Sequence, residues 1–291
     1  MLNRRDLWLG LSILVFFLVF VFLATLMLKT LSTDGFSVAQ KRVAVIEIVG
    51  PIFNPMPVIQ KLERYIENDS IPIIVIRLNT PGGGIAATQE IYETVKKARH
   101  SGKIVIASMG AVAASGGYYI AAACDTVVAN EGTITGSIGV IANFADFSDL
   151  YQKIGIDFNV RKSGKFKDIG STSRKMTEEE KEILDSVIMD SYDQFVEAVS
   201  EGRGLEPDVV RIHADGRIFT GRQALEIGLV DIMGTYQDAL DLAGNLSGLG
   251  DNPPILKERR DLWEDILFRG LVKLQGLRFE SGIPSLLYLW N

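Results

Sequence analysis

Ile71-Pro-Ile-Ile-Val-Ile-Arg-Leu-Asn-Thr-Pro-Gly-Gly-Gly84 carries an apolar, β-branched run into three glycines, and Ile85–His100 follows with apolar residues at helical spacing. A short β-branched run reads as a buried strand and a 3.6-residue period as a helix, so strand, glycine loop and helix follow in one α/β unit. The pattern recurs on both sides. Arg42–Val49 and Lys103–Met109 read as further strands. Thr177-Glu-Glu-Glu180 is a capping box, and apolar residues at Ile183, Leu184, Val187, Ile188, Phe195 and Val199 extend a helix from it to about Gly202. Arg217–Thr220, a helix-like Gly221–Ile227 and Thr235–Leu246 close the region, after which Gly248, Gly250, Pro253 and Pro254 read as a linker. The expected folded domain is therefore residues 42–248. Residues 249–291 form a linker and tail, with Leu262, Trp263, Ile266, Leu267, Leu271 and Leu274 on one helical face and an apolar run at Leu286–Trp290. No internal repeat is visible.

From Leu7 to Leu28 every residue is apolar or small except Ser12 and Thr25, and about 20 such residues span the hydrocarbon core as a helix. The run is too long for a cleaved signal peptide and lacks a small-x-small site. Arg4 and Arg5 precede it while only Lys29 follows closely, which puts residues 1–6 in the cytoplasm and everything beyond the 29–41 stalk on the outer side.

Composition narrows the chemistry. The 291 residues, 47% hydrophobic, can bury a large core; 30 basic and 36 acidic residues are mixed along the chain without a polybasic run, which argues against nucleic acid as a partner. Cys124 is the only cysteine, so no internal disulfide forms, and no Cys/His cluster has metal-ligand spacing. No cofactor is expected. His100 and His213 are the only histidines, the first at a helix exit and the second after a surface-like run, and neither suits a triad base.

Three segments remain that can carry chemistry. Backbone N–H groups of Gly82, Gly83 and Gly84 at a helix start favour negative charge, and without a Gly-Lys-Ser/Thr sequence the loop suits an oxyanion better than a phosphate. The ordinary alternative is a turn that lets strand and helix pack closely. In Gly110-Ala-Val-Ala-Ala-Ser-Gly-Gly-Tyr-Tyr119, Ser115 follows a strand and opens an alanine-rich helix, Gly116–Ala123, as a candidate nucleophile or an ordinary N-cap. Arg161-Lys-Ser-Gly-Lys-Phe-Lys-Asp168 supplies three lysines in a loop after an alternating strand. A lysine of ordinary pKa, about 10.4, is neutral roughly once in 2,500 molecules at pH 7, so a base there needs about 4 kcal/mol of perturbation, which burial supplies. Ser137, in Thr135-Gly-Ser-Ile-Gly139, is a hydroxyl able to accept from its amine. Spacing does not choose among Lys162, Lys165 and Lys167, and a solvated basic turn is the alternative for all three.

At these segments the chain resembles bacterial signal peptide peptidase A, a family of serine/lysine-dyad membrane proteases related in fold to Clp protease and crotonase. The similarity covers about Val43 to Leu246 and includes Ala214-Asp-Gly-Arg-Ile-Phe-Thr-Gly221 and Gly228-Leu-Val-Asp231. It implies an α/β fold of repeated ββα units behind one transmembrane helix. By the same resemblance Ser115 is the nucleophile, Lys167, after the aromatic Phe166, is the base, and Ser137 orients the lysine. The oxyanion hole falls on Gly83 and Gly116, with Gly82 and Gly84 one-residue alternatives for Gly83. The single-copy length matches the family's short form, which builds ring-like homo-oligomers, an octamer being one expected size, in which Lys167 can serve a neighbour's Ser115. The implied activity is endoproteolysis of signal peptides or other apolar peptides at the outer face of the bacterial cytoplasmic membrane, with residues 7–28 in the lipid bilayer. The alternatives are a Clp-class membrane protease acting on another membrane protein, a non-catalytic scaffold of the same fold and a crotonase-like acyl-CoA enzyme. The tail is expected on the bilayer, in the peptide groove, or packed on its own domain or a neighbour.

Overall fold

Val43–Val49 and Ile73–Thr80 are near-continuous apolar runs, interrupted only by Glu47 in the first and by Arg77, Asn79 and Thr80 in the second, as strands covered on both sides require. The computed structural model describes residues 15–25, 40–257 and 287–289. Residues 15–25 form helix α1 with its apolar side chains from Val15 to Leu23 exposed. The remainder of the expected 7–28 span lies outside the described residues, and among the described residues no helix is long and apolar enough to cross a membrane. This N-terminal part is a unit separate from the rest of the chain.

The strands are β1 (Val43–Val49), β2 (Ile73–Thr80), β3 (Gly82–Gly84), β4 (Ile104–Ala114), β5 (Thr126–Ala129), β6 (Ile134–Gly136), β7 (Ile218–Thr220), β8 (Ile232–Met233), β9 (Ile255–Lys257) and β10 (Leu287–Leu289). Between them lie helices α2 (Met56–Ile66), α3 (Ile85–His100), α4 (Gly116–Ala122), α5 (Ser148–Lys153), α6 (Glu178–Arg203), α7 (Pro207–His213), α8 (Gly221–Glu226) and α9 (Tyr236–Leu246). The main sheet runs β7-β6-β4-β2-β1-β9, with β5 on β4 and β8 on β5, and is parallel except for β6 against β7. On one face Ala44, Ile46, Ile74, Ile76 and Leu78 join a core with Leu62, Ile91, Val95, Phe195 and Val199 of α2, α3 and α6. On the other, Val43, Val45, Ile73 and Val75 meet Ala239, Leu240 and Ala243 of α9. Each buried Val, Leu, Ile or Phe among these contributes about 1.5–3 kcal/mol by leaving water.

The central irregularity is a bulge. Pairing of β2 with β4 is regular up to Leu78↔Met109, and then β2 advances to Thr80 while β4 advances to Ala113. Gly110 sits in this offset, where a Cβ would come 3.0 Å from Leu78 O, so any larger residue would press on β2. The extra residues bend β4 off β5 and onto β6, and β4 therefore outruns the expected Lys103–Met109. The other long elements match: Thr177 caps α6 through the expected box, and Gly204, at φ 63°, ends it in the left-handed conformation.

Two expectations change. The alternating stretch before the lysine loop is not a strand: residues 156–162 pair with nothing among the described residues, and Ile156, Phe158 and Val160 are exposed. Alternation makes a strand only where an open edge receives it. The sheet also extends past residue 248, because Ile255–Lys257 adds to β1 as an edge strand.

Candidate active site

Ser115 stands at the end of β4, one residue beyond the Ala114↔Gly136 pair, and Ser137 stands one residue beyond the end of β6. Parallel register therefore makes the two serines neighbours across adjacent strands, whose spacing is about 4.8 Å. Ser115 N–H donates to Gly136 O at 2.8 Å and Ser137 N–H to Arg217 O at 2.8 Å. Both serines have positive φ, 52° and 50°, shared among the non-glycine described residues only with Asn252. Such a backbone costs about 1–3 kcal/mol and persists where surrounding structure imposes it.

Several contacts impose it here. Tyr118 is fully buried and its hydroxyl donates to Leu229 O at 2.9 Å, with burial pushing the phenol pKa well up. Tyr119 lies between Tyr92 and Phe195, ring centroids 4.9 and 4.8 Å away. The first turn of α4 is thus clamped by packing. Ser115 opens that helix with ψ −118° and makes no side-chain cap bond, which removes the ordinary N-cap alternative. Its hydroxyl is spared from backbone duty.

The glycine loop closes the other side. Thr80 Oγ1 accepts from Gly82 N–H at 3.0 Å, Ile52 N–H donates to Gly82 O and Gly84 N–H to Ile52 O, each at 2.8 Å. These bonds draw Gly82–Gly84 into β3, and a Cβ at Gly83 would overlap the Ile52 carbonyl. A Cβ at Gly116 would lie 2.7 Å from Thr88 Oγ1 and 3.2 Å from Gly83 N. The backbones of Gly83 and Gly116 consequently meet beside Ser115, and the first-turn N–H groups of a helix have no intrahelical acceptor. Thr88, a residue that sequence reasoning missed, is fully buried with no hydrogen-bond partner for its hydroxyl among the described residues.

The opposite edge of β3 is taken by the chain itself. Leu287, Tyr288 and Leu289 pair antiparallel with Gly84, Gly83 and Gly82, and this strand also approaches α3 and α4. Beside Ser137 a cavity of about 440 Å³ is lined by Val140, Ile141, Ile188, Met189 and Tyr192, with Asp215 at its margin.

The lysine loop is elsewhere in character. Lys162 Nζ pairs with Asp168 at 2.5 Å and donates to Lys165 O at 2.9 Å, while Lys165 pairs with Glu179 and sits 5.2 Å over the Phe166 ring. Lys167 is exposed, and no ion pair or side-chain hydrogen bond engages it among the described residues. Ser115, by contrast, is 1% exposed, and no hydrogen bond joins the two. The structure brings Ser115, Ser137, Gly83 and Gly116 together, while Lys167 is exposed and bonded to none of them. His100 borders a separate polar crevice with Lys96, Arg99 and Glu201, and His213 meets Phe219 edge-on, ring centroids 6.0 Å apart.

The strand, glycine edge and buried serine belong to a known class. The Clp protease profile matches residues 42–131, a stretch holding β1 to β5 and Ser115, and the profile of Peptidase family S49 matches residues 97–250. The chain belongs to peptidase family S49 and is a serine protease of the signal peptide peptidase A type. A Synechocystis protein named as a protease is 46% identical over 211 residues, covering 72% of this chain and 76% of that one. An Enterococcus faecium protein named as signal peptide peptidase SppA is 39% identical over 189 residues, 65% of this chain and 55% of that one. The chloroplastic serine protease SPPA of Arabidopsis thaliana is 31% identical over 217 residues, and the chain spans 32% of its length.

Proposed function

We propose that this chain is a membrane-anchored endopeptidase that degrades cleaved signal peptides at the outer face of the cytoplasmic membrane, with Ser115 as nucleophile and Lys167 as general base. One observation carries the peptide reading: the glycine strand beside Ser115 takes up an extended chain in antiparallel register. Strand addition is how a protease presents a peptide backbone for attack, whatever its side chains. The apolar cavity next to Ser137 gives room for an aliphatic substrate side chain.

In this mechanism the neutral amine of Lys167 accepts the Ser115 hydroxyl proton as Oγ attacks the scissile carbonyl. Gly83 and Gly116 N–H groups donate to the oxyanion, and Ser137 accepts a hydrogen bond that aims the amine. The lysine returns the proton to the leaving amine, and water then releases the acyl group from Ser115 by the same route. Lys167 must leave solvent to do this, and its exposure in the single chain supports delivery to a neighbour's Ser115 within a ring-shaped homo-oligomer. Exposed Ile154, Ile156, Phe158 and Val160 just before the loop, with Ile183 and Val187 on α6, supply an apolar surface suited to that contact. Residues 7–28 hold the ring at the bilayer.

A fluorophosphonate is expected to label Ser115, and Ser115→Ala to abolish both labelling and peptide hydrolysis while accumulating undigested signal peptides as bound substrate. Hydrolysis by Ser115→Ala at the wild-type rate would refute the assignment, and capture of a folded membrane protein instead of signal peptides would shift the substrate to the Clp-class alternative.

A further inference from the structure

The loop bearing Lys167 has no strand to hold it, yet besides the exposed Lys165–Glu179 pair it is bolted to the start of α6 through Arg174. Residues 164–171 fold in successive turns, Lys167 N–H to Gly164 O at 3.2 Å, Ile169 N–H to Phe166 O at 3.1 Å and Ser171 N–H to Asp168 O at 3.0 Å. Arg174 then grips the residue next to the lysine: Nε donates to Asp168 Oδ2 at 3.0 Å, and Nη2 to Asp168 Oδ1 at 2.8 Å and to its backbone oxygen at 3.3 Å. The same guanidinium donates through Nη1 to Glu180 Oε2 at 2.8 Å and through Nη2 to Glu180 Oε1 at 2.5 Å. Glu180 is no surface carboxylate. Its side chain is 3% exposed, and Oε2 also accepts from Thr177 N–H at 2.9 Å in the box that starts α6.

We infer that Arg174 is the positioning residue for the general base: it fixes the Lys167 turn to the N-terminus of α6, the longest helix among the described residues, so that the amine is delivered in one direction. This rests on the reading that Lys167 is the base. Only a guanidinium has the planar fork of donors needed to engage two carboxylates at once, and an ammonium in its place serves one of them as a point charge. The bonds also hold Asp168 well below the usual carboxylate range, through Arg174 first and Lys162 second, and raise Arg174 itself, through Glu180 first and Asp168 second. A base on an unbolted turn would reach the serine in many orientations, and a displacement near 1 Å costs up to about 10²-fold in rate.

The test compares Arg174→Gln, Arg174→Lys, Asp168→Asn and Lys167→Ala in the full chain, with kcat and KM measured on an apolar peptide and folding followed by circular dichroism. Arg174→Gln and Asp168→Asn are each expected to lower kcat by about 10- to 100-fold with KM within about twofold, because substrate binding on β3 is untouched. Arg174→Lys is expected to recover only a small part of the loss. Asp168→Asn keeps the Arg174–Glu180 clamp on α6, so its defect reports on the loop and not on the helix. Wild-type kcat in folded Arg174→Gln and Asp168→Asn, alongside an inactive Lys167→Ala, would overturn this inference and leave the dyad standing. An active Lys167→Ala would instead remove the dyad on which it rests.

Discussion

The two ends of the proposed dyad are held by opposite means. Ser115 is buried, strained and clamped by backbone bonds and aromatic packing, with Tyr118 fully buried and Tyr119 wedged between two rings. Lys167 is exposed on a turn with no strand beneath it, and what fixes that turn is a set of ions, Asp168, Arg174 and Glu180. A nucleophile has to be held about 3–3.5 Å from the scissile carbonyl in one orientation, and close packing gives that precision. A base that arrives from another chain needs a shape rigid on its own yet able to leave water, and a charged clasp on a helix start provides one.

If the serine end is a matter of close backbone approach, Gly116→Ala should break it most severely. The added methyl meets Thr88 Oγ1 and Gly83 N, so the proposed oxyanion donors must part. The expected result is a fall in kcat of about 10²–10³-fold, the loss typical of one oxyanion donor, with fluorophosphonate labelling slowed as well. Truncation tests the occupied edge of β3. A chain ending at residue 260 lacks β10, and its kcat/KM on short peptides should rise several-fold if residues 287–289 compete with substrate; unchanged kinetics would show that the pairing does not restrict the site.

Strain gives a smaller and cleaner readout. Ser115→Gly should raise the unfolding free energy by about 1 kcal/mol, because glycine adopts φ 52° freely, whereas Ser115→Ala keeps the strain. Chemical denaturation of the two inactive variants separates them, and equal stabilities would remove strain from the account. The ionic end is read through pH. Arg174 holds the Glu180 pKa at about 2, against an ordinary 4.5 in the unfolded chain. A carboxylate lowered on folding stabilises above its unfolded pKa, and that contribution fades as pH falls from about 4.5 through about 2. The urea midpoint should therefore drop across that window in the wild type and drop less in Arg174→Gln.

The contrast also explains what could be read from sequence. β1, β2, α3 and the capped start of α6 were legible because β-branching, helical period and a capping box are local signals. The extension of β4 through Gly110–Ala114 was not, since small residues carry little strand propensity and the cause is a bulge against β2. β9 and β10 were missed because both depend on edges distant in sequence. Residues 156–160 misled for the same reason in reverse, an alternating pattern with no edge to receive it. At the site, the glycines and Ser115 announced themselves as a motif, but the positive φ shared with Ser137 and the open Thr88 hydroxyl exist only in three dimensions. The Arg174 clasp was half visible: Glu180 stood in the recognised capping box, while its second partner, Arg174, lies past the Arg161–Asp168 segment where no motif marks it.

The most direct test of a Ser115–Lys167 dyad assembled between chains is complementation. Ser115→Ala and Lys167→Ala proteins are purified separately, dissociated, mixed and reassembled, and peptide hydrolysis is measured. Two inactive proteins and an active mixture are expected, because the mixed ring unites an intact serine with a neighbour's intact lysine. Wild-type turnover by Lys167→Ala alone, or a mixture that stays inactive while reassembled wild-type protein works, would contradict it.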